Sequence, residues 1–256
     1  MTRSEADIVL DQAEKLWLAG EKQPAREAFL RARLLYHETA DPIGEANALT
    51  QMGDIEAETG HGNTARQAYV EARALFAKGA DQGDQAKILV RLAHLSQREG
   101  SETEARSFYL SALDLYDSCA DASGQGHVHR ALGHMERDHG RQDVALDHYR
   151  KALSCYRQAG DTLGEAGTLK ALAGVARRLG QLDRARADLD KALVLLREAG
   201  DLLGQAKAGR LLAQVLADEG RRDEAHRTMN AAAKLFSRAG DLINHEAALA
   251  EAKALG

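Results

Sequence analysis

The chain has 256 residues, of which 44% are hydrophobic, only 4% aromatic and 29% charged, with a net charge of −5, two prolines and two cysteines. An Ala- and Leu-rich chain so poor in aromatics and proline excludes a β-rich fold, and the negative balance argues against a general nucleic-acid binder. Cys119 and Cys155 lack C-x-x-C spacing, so neither a thiolate metal site nor a disulfide framework is expected.

The opening stretch, MTRSEADIVLDQAEKLWLAG, scatters acids among its apolar residues, and no later segment reaches the roughly 18 consecutive apolar residues of a membrane span. A soluble, cytoplasmic protein with no membrane partner is expected.

Shifting the sequence by forty residues superimposes it on itself. Gly20, Gly60, Gly100, Gly140, Gly180 and Gly220 form one lattice, and Asp41, Asp81, Asp121, Asp161, Asp201 and Asp241 form a second. A period of this length predicts a solenoid of stacked supersecondary units. Before each lattice glycine an apolar column recurs, as in Ala48, Met52, Ile55 and in Ile88, Leu92, Leu95, which predicts a first helix. After it, small and large residues alternate at helical spacing, as in Ala65, Tyr69, Ala72 and Phe76, which predicts a second helix whose alanines admit a close neighbour. The glycine reads as the C-cap and turn of the hairpin, and the lattice Asp as the N-cap of the next unit, with Pro42 at a favoured first helical position. The units fall at about 5–40, 41–80, 81–120, 121–160, 161–200 and 201–240, with a capping helix over 241–255, in one domain spanning 1–256. The first unit has the polar Gln12 and Lys15 where others are apolar, and the last segment is a single helix with a polar face; both suit solenoid caps.

The pattern of small residue, glycine turn, Ala, aromatic and Ala, in MGDIEAETGHGNTARQAYVEARALF and LGHMERDHGRQDVALDHYRKALSCY, resembles the tetratricopeptide repeat. Its forty-residue period is similar to the longer-helix subclass found in LGN and Pins spindle adaptors, kinesin-light-chain-like proteins and many bacterial regulators. The resemblance covers about residues 5–255. It implies an all-α, right-handed superhelical α-solenoid of six helix-turn-helix units plus a C-terminal capping helix, with the first helices lining a concave, peptide-binding groove.

The free face of those first helices changes character along the chain. Its first two units show Asp7, Asp11, Glu14 and Trp17, then Asn47, Gln51, Asp54 and Glu58. The next four show Lys87, Arg91, His94, Gln97 and Arg98; His127, Arg130, His134 and Arg137; Lys170, Arg177 and Arg178; and Lys207, Arg210 and Gln214. Ten Lys or Arg stand there against Asp138 and Asp218, in a chain with more acid than base. A basic groove of this kind predicts a non-catalytic scaffold that binds an acidic peptide or protein segment through charge-assisted hydrogen bonds. The alternative is a homo-oligomeric structural scaffold, in which the acidic repeats of one chain meet the basic groove of another. Nucleic acid is set aside because the aromatics fall at core positions rather than as stacking platforms.

His127, His129, His134 and His139 crowd one segment, but no three share a helix face at metal-ligand spacing, so no metal is expected. His94, His127 and His134 read instead as contacts that protonate near pH 6.5 and strengthen anion binding. No nucleophile elbow or phosphate loop is present, so neither a catalytic site nor a cofactor is expected.

Overall fold

The computed structural model describes residues 4–79 and 82–255. Its elements are α1 (Glu5–Leu18), α2 (Lys22–Glu38), α3 (Pro42–Glu58), α4 (Gly62–Lys78), α5 (Gln82–Arg98), α6 (Glu102–Ser118), α7 (Ala122–Asp138), α8 (Gln142–Ala159), α9 (Thr162–Arg178), α10 (Leu182–Glu198), α11 (Leu202–Asp218), α12 (Arg222–Arg238) and α13 (Leu242–Leu255). Among the described residues there is no strand, and no helix is long and apolar enough to cross a membrane. The fold is an all-α helical repeat of six hairpins and a final single helix.

Both lattices act as the local chemistry requires. The carboxylate of Asp41 accepts from the N–H groups of Ile43 and Gly44. Asp121, Asp161 and Asp201 each accept from the N–H three residues on, at Gly124, Gly164 and Gly204, and Asp241 does so from Asn244. Such caps contribute about 1 kcal/mol apiece; Asp81 lies outside the described residues. At the hairpin turns, Gly60 takes φ +87° while the next N–H, of His61, donates back to the Glu56 carbonyl at 2.8 Å, a helix-ending pattern that needs a left-handed residue. The same conformation ends the second helices at Gly160, Gly200 and Gly240, but at Ala40 and Ala120 it is forced on an alanine.

The packing columns are equally regular. Ala25, Ala65, Ala105, Ala145, Ala185 and Ala225 are all buried, and so are the large residues four positions on, Phe29, Tyr69, Tyr109, Tyr149, Leu189 and Met229. A tyrosine in a second helix also explains a glycine inside the following first helix. A Cβ added to Gly164 would stand 2.2 Å from the Tyr156 ring, so that side chain has to be absent for the hairpins to close on one another.

Residues 1–124 and 125–256 form two compact units. In the first, α1 to α6 pack as successive neighbours, each helix against the one before it. In the second, the sequence α8 to α13 repeats that arrangement, with Leu189 and Leu196 of α10 central to a core shared with α9 and α11. Helix α13 buries Ala248 and Ala252 against Met229, Ala233 and Phe236. Its Leu249 is 43% exposed, whereas its counterparts Leu49, Leu89 and Leu169 are buried. Glu246 and Lys253 replace the buried alanines Ala206 and Ala213 there, as a capping surface would.

The face of the first helices

The repeat position that holds Asp54, His94 and His134, forty residues apart in sequence, meets in each case a tyrosine hydroxyl from the second helix of its own hairpin. Tyr69 donates to Asp54 at 2.7 Å. The Tyr109 hydroxyl lies 2.9 Å from His94 Nδ1 and donates to Gln97 at 2.8 Å. The Tyr149 hydroxyl lies 2.7 Å from His134 Nδ1. Burial pushes these phenols up, Tyr149 to about 12, so all three stay protonated at neutral pH.

In the first unit, Arg91 Nε donates to both oxygens of Asp54, at 2.8 and 3.1 Å. This pair, with Tyr69, forms one wall of a cleft of about 310 Å³ that Trp17, Glu58 and Arg98 complete. Trp17 also packs against the buried cluster of Ala13, Phe29 and Ile55 and lies under the Lys22 ammonium, 5.9 Å away, so its first role is to close the core at that end. Lys87 is held by Asp84 at 2.7 Å. Arg98 has no ion pair or hydrogen bond among the described residues.

In the second unit three arginines are likewise occupied. Arg137 pairs with the adjacent Asp138 at 2.8 Å. Arg177 pairs with Asp218 at 2.5 Å and donates to Gln214 at 2.9 Å. Arg210 binds Glu251 and donates to Asn244 at 3.1 Å, while Gln214 donates to the same Glu251 at 3.3 Å. The remaining cations differ. Arg130, Lys170, Arg178 and Lys207 make no ion pair or hydrogen bond among the described residues. Arg130 instead lays its guanidinium over the Tyr156 ring, 5.4 Å from the centroid. Its NH1 passes 2.7 Å from where a Cβ on Gly167 would be. Lys170 is lowered by burial, then by Lys207 and Arg130, with Asp201 pulling the other way. His127 is exposed on the same helix face as Arg130.

The structure thus separates the ten cations into a set satisfied within the chain and a set that is not, a division that charge counting alone did not reveal. It also corrects the expected histidine chemistry. Burial, followed by Arg137 and Arg130, holds His134 at about 4. Burial and, less strongly, Arg91 lower His94 against the pull of Gln97. His134 therefore does not protonate near pH 6.5, and His94 is shifted in the same direction. His129, whose ring pairs with His148 with Nδ1 atoms 3.2 Å apart, is held at about 4 by burial and then by that neighbour. The tyrosine partners could have been found in the sequence, because Asp54, His94 and His134 each precede a Tyr by fifteen residues. Units with Leu189 or Met229 at the tyrosine position have Gly174 or Gln214 there instead.

Residues 84–158 match the family model of the tetratricopeptide repeat. That match covers under a third of the chain, and those residues are similar to tetratricopeptide repeats. No curated protein sequence matches it. In fold it is similar to BtubC (BKLC) from P. vanneervenii, with a TM-score of 0.65 and 18% identity over 99% of this chain and 91% of that one. It is also similar to a Rap protein complexed with Competence and Sporulation Factor, with a TM-score of 0.68 and 13% identity over 98% of this chain and 74% of that one. A third similarity is to the APC/C hetero-tetramer Cut9-Hcn1, with a TM-score of 0.66 and 18% identity over 96% of this repeat chain but only 42% of the other. At these identities the likeness is one of fold, and the binding face has to be read from this chain's own residues.

Proposed function

We propose that this repeat protein is a non-catalytic scaffold whose first-helix face binds an acidic protein segment. The observation that carries the reading is the contrast within that face. Arg91, Arg177 and Arg210 have found carboxylates inside the chain, whereas Arg130, Lys170, Arg178 and Lys207 on α7, α9 and α11 have none among the described residues. A cation held near other cations, with no internal anion, gains most from an external carboxylate, because the incoming charge relieves repulsion as well as forming charge-assisted hydrogen bonds. An extended segment suits the spacing, since its successive side chains can meet successive repeats. Two of the similar folds are recorded with a partner, the Rap protein with Competence and Sporulation Factor and Cut9 with Hcn1, which supports a binding role.

The test is fluorescence anisotropy of the whole chain with a degenerate Asp/Glu-rich dodecapeptide library, a Lys/Arg-rich library of the same length and a single-stranded oligonucleotide. Binding of the acidic library alone, weakened by added salt, is expected. Preference for the oligonucleotide or the basic library would overturn the reading.

A further inference from the structure

The unpaired cations of the second unit do not form an even stripe. Arg130, Lys170 and Lys207 come from three successive first helices, and the charge of each of the other two is felt at Lys170. The surroundings of Arg130 hold it in place. The Arg130 guanidinium is pinned between the Tyr156 ring and the bare backbone of Gly167, with NH1 2.7 Å from the position a Cβ would take. Gly167 is the one glycine of its column, which otherwise reads Asp7, Asn47, Lys87, His127, Lys207 and Ala247. A long side chain there would occupy the space that Arg130 fills. The nearby acids are committed elsewhere: Asp201 caps Gly204 and Asp241 caps and holds Asn244.

We infer that Arg130, Lys170 and Lys207 form a receptor for a phosphomonoester dianion carried on the side chain of the bound segment. This deepens the proposed function and rests on it. A carboxylate brings one charge and two oxygens, enough for the planar arginine fork but not for two further ammonium groups. A phosphomonoester brings nearly two charges and three terminal oxygens, one set for the fork and the rest for the two lysines. The fixed guanidinium supplies the geometry, and the two flexible lysine stems close on the remaining oxygens. The contrast with Arg177, whose fork is already filled by Asp218 and Gln214, makes that arginine an internal control.

The experiment measures affinity of the whole chain for three degenerate acidic peptide libraries that differ at one fixed central residue, Ser, Glu or phosphoserine, with inorganic phosphate as a fourth probe. For the wild type, phosphoserine is expected to bind about tenfold or more tightly than Glu or Ser, and inorganic phosphate to compete only weakly. The advantage should vanish in Lys170→Gln and Lys207→Gln and persist in Arg177→Gln. Thermal melts check that each variant is folded, and Lys170→Gln should melt no lower than wild type because it removes an uncompensated charge. Equal binding of all three libraries would overturn the phosphomonoester inference while leaving the acidic-segment reading standing. Failure of every library would overturn both. Inorganic phosphate binding as tightly as the peptide would overturn the partner-borne source in favour of a free anion.

Discussion

Arg91 spans two repeats to place its Nε against both carboxylate oxygens of Asp54, while the same carboxylate receives the hydroxyl of Tyr69. The first arginine of the basic stretch is thus tied to an acid of the preceding repeat within a single chain. An acid needed for association with a second copy is thereby engaged, although Glu14 and Glu58 of the same end have no such partner among the described residues.

Removing one member of that triad should be costly. Arg91→Gln leaves a half-buried Asp54 with only its tyrosine and is expected to lower stability by about 1–2 kcal/mol. Lys170→Gln, on a cation without a partner, should change stability by less than about 0.5 kcal/mol or raise it. Urea unfolding of both variants checks this; equal losses would mean that the two cations are not in different states.

Ala40 and Ala120 adopt φ +53° and +55°, where α8, α10 and α12 end on Gly160, Gly200 and Gly240. An L side chain in that region costs roughly 1 kcal/mol, so Ala40→Gly and Ala120→Gly should each stabilise the chain by up to about 1 kcal/mol. A higher melting temperature for each single variant, and an additive gain for the pair, are expected because the sites are two repeats apart.

The histidines give a pH dependence of definite sign. His129 and His134 are held at about 4 against an ordinary value of 6.5. Between those limits the unfolded chain binds more protons than the folded one, so stability rises with pH and is lost as pH falls from about 6.5 towards 4. Each contributes on the order of 1 kcal/mol after solvent screening. Urea midpoints at pH 7 and pH 5 should differ for the wild type and converge in His129→Asn, His134→Asn; an unchanged difference in the double variant would place the effect elsewhere.

Gly164 tests the packing account. Adding a methyl group 2.2 Å from the Tyr156 ring forces the hairpins apart, so Gly164→Ala should cost about 1–3 kcal/mol despite alanine's better helix propensity. Calorimetry of that variant checks it, and a stabilised protein would show that the ring yields freely.

The helical-repeat fold was legible because period, turn and core coincide at every forty residues: a glycine at φ near +80°, a capping Asp and an alanine column each have one physical solution. Helix-interior glycines such as Gly164 were not read as packing sites, since the tyrosine that demands them lies in the preceding helix. The candidate site was half legible. Its cations could be assigned to a face, but Arg177 and Arg210 find their acids 41 residues on, at Asp218 and Glu251, so the pairing follows from how neighbouring repeats stack and not from any local spacing. The downward shifts of His94 and His134 were not legible, because the tyrosine partner comes from the other helix of the hairpin.

The central claim is that the cations left without internal partners are the ones that bind. The most direct measurement is the affinity of the Asp/Glu-rich library for Arg130→Gln, Lys170→Gln, Lys207→Gln combined in one chain, set beside Arg177→Gln, Arg210→Gln combined in another, at equal salt. The account predicts a loss of about tenfold or more in the first and little change in the second. Equal losses in both, or a loss confined to the second, would contradict it.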